Sequence, residues 1–135
     1  MTEKPDLKAW AAQQGALDRL PNAMGVALSS LEHGRATVTM TVVKESLNAH
    51  GNCHGGAIFT LADTAFFYVC NANDRKAVAA GCDINFIRPA VLGDVLTATA
   101  NAQHLGRRSG LYQVEVRNQH GKLVAVMSAR AAIVD

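Results

Sequence analysis

A lone carboxylate, Asp63, stands in the middle of the apolar segment CHGGAIFTLADTAFFYVCNAN that runs from Cys53 to Asn73. An unpaired charge in apolar surroundings costs several kcal/mol or must shift its pKa, so Asp63 is the first candidate for acid–base or nucleophilic chemistry. The plainer alternative is a structural acid that caps a backbone group or pairs with His54 across an interface. Upstream, His50, Cys53 and His54 are close enough to suggest a metal site with Asp63 as a remote fourth ligand. Their spacing follows no established pattern of paired ligands, so no metal is expected. Cys53 near a helix start could carry a lowered thiol pKa and act as a nucleophile, and a small buried filler is the simpler reading. Gly55-Gly56 taken alone are turn punctuation. Arg107-Arg108, the only adjacent arginines, are either a solvated turn or a small-anion site.

These residues need elements to hold them. The polar stretch from Lys44 to Cys53 leads through Gly55-Gly56 into an apolar run of about 16 residues, and its length makes it a helix rather than a strand. A helix apolar on nearly every side cannot lie on a surface, so a sheet must wrap around it. Strand material is plentiful. Ala36, Val38, Met40 and Val42 alternate with Thr37, Thr39 and Thr41, which is the two-residue period of a half-buried strand. Val26 to Leu31 is its hairpin partner, turning at His33-Gly34. Four further strands are expected at Ala77 to Arg88, Leu96 to His104, Leu111 to Arg117 and Leu123 to Val134, separated by turns at Pro89 and Gly93-Asp94, Gly106 to Gly110 and Asn118 to Gly121. A helix over about 8–20, ending before Pro21, precedes them, with Trp10 and Leu17 covering core. The expectation is an α+β fold, an antiparallel sheet wrapped around a long central helix, in one domain spanning 1–135.

Composition narrows the function. The chain has 135 residues, 49% of them hydrophobic, enough for one domain with a real core. The net charge is only +2 and the basic residues are scattered, so no nucleic-acid footprint is visible. Cys53, Cys70 and Cys82 are odd in number and lack a C-x-x-C spacing, which argues against a disulfide framework and suits a reducing compartment. The N-terminus MTEKPDLKAWAAQQG has no apolar core of a signal peptide, and the run after Gly56 is shorter than the roughly 20 residues a bilayer requires. A soluble cytoplasmic protein is expected.

The string LNAHGNCHGGAIFTLADTAFFYVCN, followed by DINFIRPAVLGD, resembles the hotdog-fold acyl-CoA thioesterases, specifically their PaaI-type, phenylacetate-pathway branch. The similarity runs from about Gly25 to the C-terminus. Thioester hydrolysis needs a base or nucleophile at the carbonyl carbon and donors at the oxygen where negative charge develops. The resemblance implies that Asp63 acts as general base on water or attacks the thioester itself, and the sequence leaves both open. Gly55 stands where a helix begins, so its N–H lacks an intrahelical acceptor and becomes the oxyanion donor. By resemblance, Asn48 is a second polar group near the thioester, His54 shapes the helix entrance, Gly56 and Thr64 are expected among the substrate-binding residues, and the Gly106-Arg107-Arg108-Ser109 turn contacts the CoA nucleotide. Arg88 is a weaker candidate for that contact.

Eight helical residues separate Gly55 from Asp63 by roughly 12 Å, too far for both to reach one carbonyl. A two-fold pair of chains with antiparallel helices would join Gly55 of one subunit to Asp63 of the other. A homodimer with shared sites is therefore expected, and the resemblance favours a homotetramer. No cofactor is implied, since coenzyme A is part of the substrate. Phe66 or Phe67 would line the acyl pocket. Some relatives carry a hydroxyl residue near the start of the strand after the helix, where this chain has Ala77-Val78-Ala79-Ala80-Gly81, leaving Thr64 as the nearby hydroxyl. The leading expectation is an acyl-CoA thioesterase preferring aryl-acyl groups such as ring-hydroxylated phenylacetyl-CoA. A non-catalytic acyl-CoA binding or sensing domain on the same fold is the alternative. A hotdog dehydratase is third, and the His and acid pairing of that branch is not evident.

Overall fold

Asp6 opens the first helix, α1 (Leu7–Leu17), by accepting a hydrogen bond from the Ala9 N–H, the usual way to satisfy a donor left over at a helix start. A computed structural model describes residues 2–135. The helix expected over 8–20 is divided: it breaks at Asp18, and α2 (Arg19–Ala23) follows at once with Pro21 inside it. Pro21 is the third residue of α2, within the first turn, where an N–H has no intrahelical acceptor and its absence costs nothing.

β1 (Ala27–Glu32) and β2 (Arg35–Thr41) form the hairpin around His33-Gly34, with Glu32 opposite Arg35. Gly34 takes a φ of 87°, which a side chain would resist. On β2 the residues Ala36, Val38 and Met40 are buried and the threonines are not, matching the alternation in the sequence.

A single helical turn at Lys44–Ser46 leads to α3 (Gly55–Asn71). Then come β3 (Ala77–Phe86), β4 (Val95–Leu105), β5 (Ser109–Arg117) and β6 (Leu123–Ile133). The six strands make one sheet in the order β1-β2-β4-β5-β6-β3, and every pairing is antiparallel. α3 packs against all six strands. Its Leu61 and Phe66 join Met40, Leu96 and Met127 as the largest fully buried apolar side chains, each contributing about 2 kcal/mol by leaving water. The sheet curls around a central helix, the α+β arrangement expected from the sequence.

Two buried polar residues tie elements together, Asn71 at the end of α3 and Asp94 in the turn before β4. Asn71 accepts a hydrogen bond from the Ala77 N–H at 2.9 Å and donates to the Ala77 and Phe67 carbonyls, both at 3.1 Å. The end of α3 is thereby clamped to the start of β3. Asp94 accepts from the Val91 N–H and from the Gln119 amide, both at 2.9 Å. The Val91 bond first, then Gln119, holds its carboxyl below the usual carboxylate range.

Two surfaces are left uncovered. β3 lies at a sheet edge with only Ala77 buried and Ile84 half-buried; Val78 and Phe86 are exposed. On α3, Gly56, Phe59, Thr60, Asp63 and Phe67 recur at helical spacing and form one stripe that the chain's own sheet does not close.

Candidate active site

Asp63 sits on that stripe and lines a cavity of about 600 Å³ between α1, α3 and the start of β3. Trp10 and Gln14 of α1, Phe66, Phe67 and Cys70 of α3, and Val78 and Ala79 of β3 share its walls. The Asp63 carboxylate has no hydrogen-bond or ion-pair partner among the described residues. Burial first, and the Asp18 carboxylate second, push it above the usual carboxylate range. Within one chain His54 does not pair with it; the His54 Nδ1 instead caps α3. An acid held in this way resists ionisation and binds its proton more tightly, the condition of a base tuned toward neutral pH.

The start of α3 is built by a different set of residues. His54 caps the helix, its Nδ1 accepting the Gly56 N–H at 2.9 Å. Gly56 is thus spent on the cap, whereas the Gly55 N–H, first in the helix, has no acceptor among the described residues. A Cβ on Gly55 would lie 3.3 Å from the Phe86 ring, so β3 closes tightly over this point. Asn48 holds the preceding loop: its Oδ1 accepts the His50 and Asn52 N–H groups at 3.0 and 3.1 Å. Its oxygen is committed to that loop, and only its Nδ2 is left for a substrate. The His54 N–H donates to the Ser46 carbonyl at 2.7 Å, fixing the cap against the chain before it.

Cys53 is buried and bonds weakly to the His54 carbonyl at 3.8 Å. Burial first, with Asp94, pushes its thiol up, which makes it a poor nucleophile. Cys70, inside the Asp63 cavity, is pushed up to about 12, chiefly by burial and then by the Asp63 charge. Among the described residues no group of three His, Cys, Asp or Glu is placed to hold a metal ion.

Thr64 does not join Asp63. One residue further round the helix, it is turned into a second cavity beneath α1, α2 and β1, and its hydroxyl donates to the Thr60 carbonyl at 2.6 Å. The expectation that it would hydrogen-bond near Asp63 is corrected by that rotation of about 100° per residue.

The arginine turn lies near the Asp63 end of the molecule. Gly106 donates its N–H to the Ser109 carbonyl at 2.8 Å, and a Cβ on Gly106 would clash at 2.8 Å with that oxygen and with His104. Only glycine fits so tight a turn. Arg107 and Arg108 line a shallow cavity with Arg75 and Asp135, and those last two also line the Asp63 cavity. Arg75 forks onto Asp135, with Nη2 donating to Oδ1 at 2.8 Å and Nε to Oδ2. Arg88 is exposed at the opposite end, past Phe86, its N–H on the Val124 carbonyl. One chain therefore brings Asp63 toward Arg107 and Arg108, and Gly55 toward Arg88, with α3 between the two groups. The sequence reading missed Trp10, Gln14 and Arg75 at the Asp63 cavity. The one signal available was that Trp10 and Gln14 are a single helical turn apart.

Known proteins share this architecture. A family model described as thioesterase superfamily matches residues 50–125. The acyl-coenzyme A thioesterase PaaI of Escherichia coli K12 is 44% identical over 126 residues, covering 92% of this chain and 90% of that protein. The structure of the E. coli PaaI protein from the phenylacetic acid degradation operon superposes with a TM-score of 0.91 and covers 95% of this chain and 94% of its own. A Streptococcus mutans UA159 protein bound to acetyl CoA superposes with a TM-score of 0.78 at 34% identity, over 81% of this chain and 88% of that one.

Proposed function

This chain belongs to the thioesterase superfamily as a PaaI-like acyl-CoA thioester hydrolase, and on that premise we propose that its substrates are aryl-acyl-CoA thioesters of the phenylacetyl type. Asp63 takes the proton from a water that attacks the thioester carbon, or attacks it directly. The carbonyl oxygen gathers charge and is met by the Gly55 N–H. Collapse of the tetrahedral intermediate breaks the C–S bond and releases coenzyme A; on the water route the acid leaves as the free carboxylate, and on the direct route the acyl group stays on Asp63 as a mixed anhydride until water hydrolyses it. The observation that carries this reading is the unpartnered Asp63 carboxylate in a cavity walled by Trp10, Phe66 and Phe67. Aromatic walls suit an aromatic acyl group.

The site is completed by a second copy of the chain. Gly55 and Asp63 are about 12 Å apart along α3. The open stripe through Phe59, Thr60 and Asp63 and the exposed edge at β3 support an antiparallel pairing of two such helices. Phe86, beside Gly55 and 53% exposed, would be covered in that pairing. Pairs of dimers would give the homotetramer, acting in the cytoplasm. Among the described residues no helix is long and apolar enough to cross a membrane. Arg107 and Arg108, backed by Gly106 and Ser109, take the CoA phosphates as charge-assisted donors.

Release of free CoA, followed with a thiol reagent across phenylacetyl-CoA and straight-chain acyl-CoA esters, tests this. Preference for the aryl ester supports the reading, and preference for the straight-chain esters refutes it. Binding of the esters without thiol release would make the chain an acyl-CoA binding module instead.

A further inference from the structure

Trp10 and Gln14 of α1 lie one turn apart and both face the cavity that holds Asp63. The Trp10 ring is fixed on three sides. It stacks on Phe67 with centroids 6.1 Å apart and 23° between planes, meets Tyr68 edge-on at 6.2 Å, and carries the Lys4 Nζ 5.0 Å from its centroid. Lys4 is itself anchored by donating to the Asn73 carbonyl at 2.7 Å. This leaves a rigid aromatic wall with the half-buried Gln14 amide beside it on the same helix as Trp10, among a lining whose other polar members are mostly charged.

That amide has no hydrogen-bond partner among the described residues, although both its donor and its acceptor are available. Gln14 lines the Asp63 cavity beside Trp10, so its free amide is available to a ligand bound there. A polar group placed among aromatic walls fixes the orientation of a ligand, and it rejects ligands that cannot answer it.

We propose that Gln14 is a specificity-determining residue that hydrogen-bonds a polar substituent, a hydroxyl, on the aromatic ring of the acyl group, while Trp10 and Phe67 hold the ring itself. The assignment rests on the aryl-acyl reading above. α1 then belongs to the acyl pocket and is more than a cover over the core.

The test compares kcat/KM for phenylacetyl-CoA with that for its meta- and para-hydroxylated forms, in the wild type and in Gln14→Leu and Gln14→Ala. The wild type should favour one hydroxylated ester. Both variants should lose about tenfold on that ester and stay within about twofold on phenylacetyl-CoA, the worth of one neutral hydrogen bond. Equal losses on all three esters would make Gln14 a general positioning group, and no loss on any would make it surface; either overturns the assignment. Using two variants of different bulk guards against one failing to fold. A wild type that prefers hexanoyl-CoA overturns the aryl reading and the assignment with it. Aryl preference with unmoved hydroxyl discrimination overturns the assignment alone.

Discussion

Replacing Gly55 by proline removes one hydrogen atom of chemical interest, the N–H assigned to the oxyanion, from a position that tolerates the exchange. Gly55 is the first residue of α3, where proline is favoured because no intrahelical bond is lost. The preceding His54 has φ −62° and ψ 136°, the extended conformation that a residue before proline adopts. The first added carbon meets the tip of the Phe86 ring at 3.3 Å, a contact that an alanine would make equally. Stability should therefore change little. Loss of one oxyanion donor should lower kcat by about 10²–10³, equivalent to about 2.7–4 kcal/mol. Gly55→Ala is the control, since it adds the same first carbon and keeps the N–H. Release of CoA from phenylacetyl-CoA, read beside a thermal melt of each variant, separates the two effects. If the proline variant keeps kcat within about twofold of wild type, or if alanine and proline fall together, the amide is not the donor and the reasoning fails.

Asp63→Asn should lower kcat by about 10²–10⁴, the worth of a general base, with unchanged secondary structure by circular dichroism. The same variant should melt higher than wild type near neutral pH. Asp63 has a raised pKa in the fold, so the folded chain binds the proton more tightly than the unfolded one, and stability falls as pH rises from the ordinary value through the folded value. The difference in melting temperature should vanish in acid, where both states carry the proton. Asp18→Asn removes the second cause of the shift, so the acidic limb of its kcat/KM profile should move to lower pH; an unmoved limb would separate Asp18 from the site. Asn71→Ala strands the Ala77 N–H and carbonyl in a buried position. It should cost about 2–3 kcal/mol, read as a lower urea midpoint at unchanged slope.

The parts of the molecule that were legible in the sequence are those fixed by local period and length. The alternation of Ala36, Val38 and Met40 with threonines needed only a sheet with one wet face, and the run behind Gly55 was too long and too apolar for anything but a central helix. Gly34 marked its hairpin because the turn requires a positive φ. The sheet order was out of reach, since β3 pairs with β6 across nearly the whole second half of the chain and nothing local encodes that partner. The site divides similarly. Asp63 was visible as a charge in the wrong company, and Gly55 as the first amide of a helix. Thr64 was misplaced because a single step along a helix turns a side chain away from its neighbour. The break at Asp18 was hidden because Pro21 was read as a stop, when it lies in the first turn of a second helix. That break sets Asp18 near Asp63. The role of Trp10 and Gln14 depended on how α1 crosses α3, which is a matter of tertiary packing.

Mixing two inactive variants tests the shared site most directly. Asp63→Asn and Gly55→Pro chains, unfolded together and refolded at equal amounts, should form hybrid dimers in which one site carries both defects and the other carries neither. Random pairing then predicts recovery to roughly a quarter of wild-type activity. Activity that stays at the level of the separate variants would mean that each chain keeps its own Gly55 and Asp63, and would contradict a site assembled across the two-fold axis.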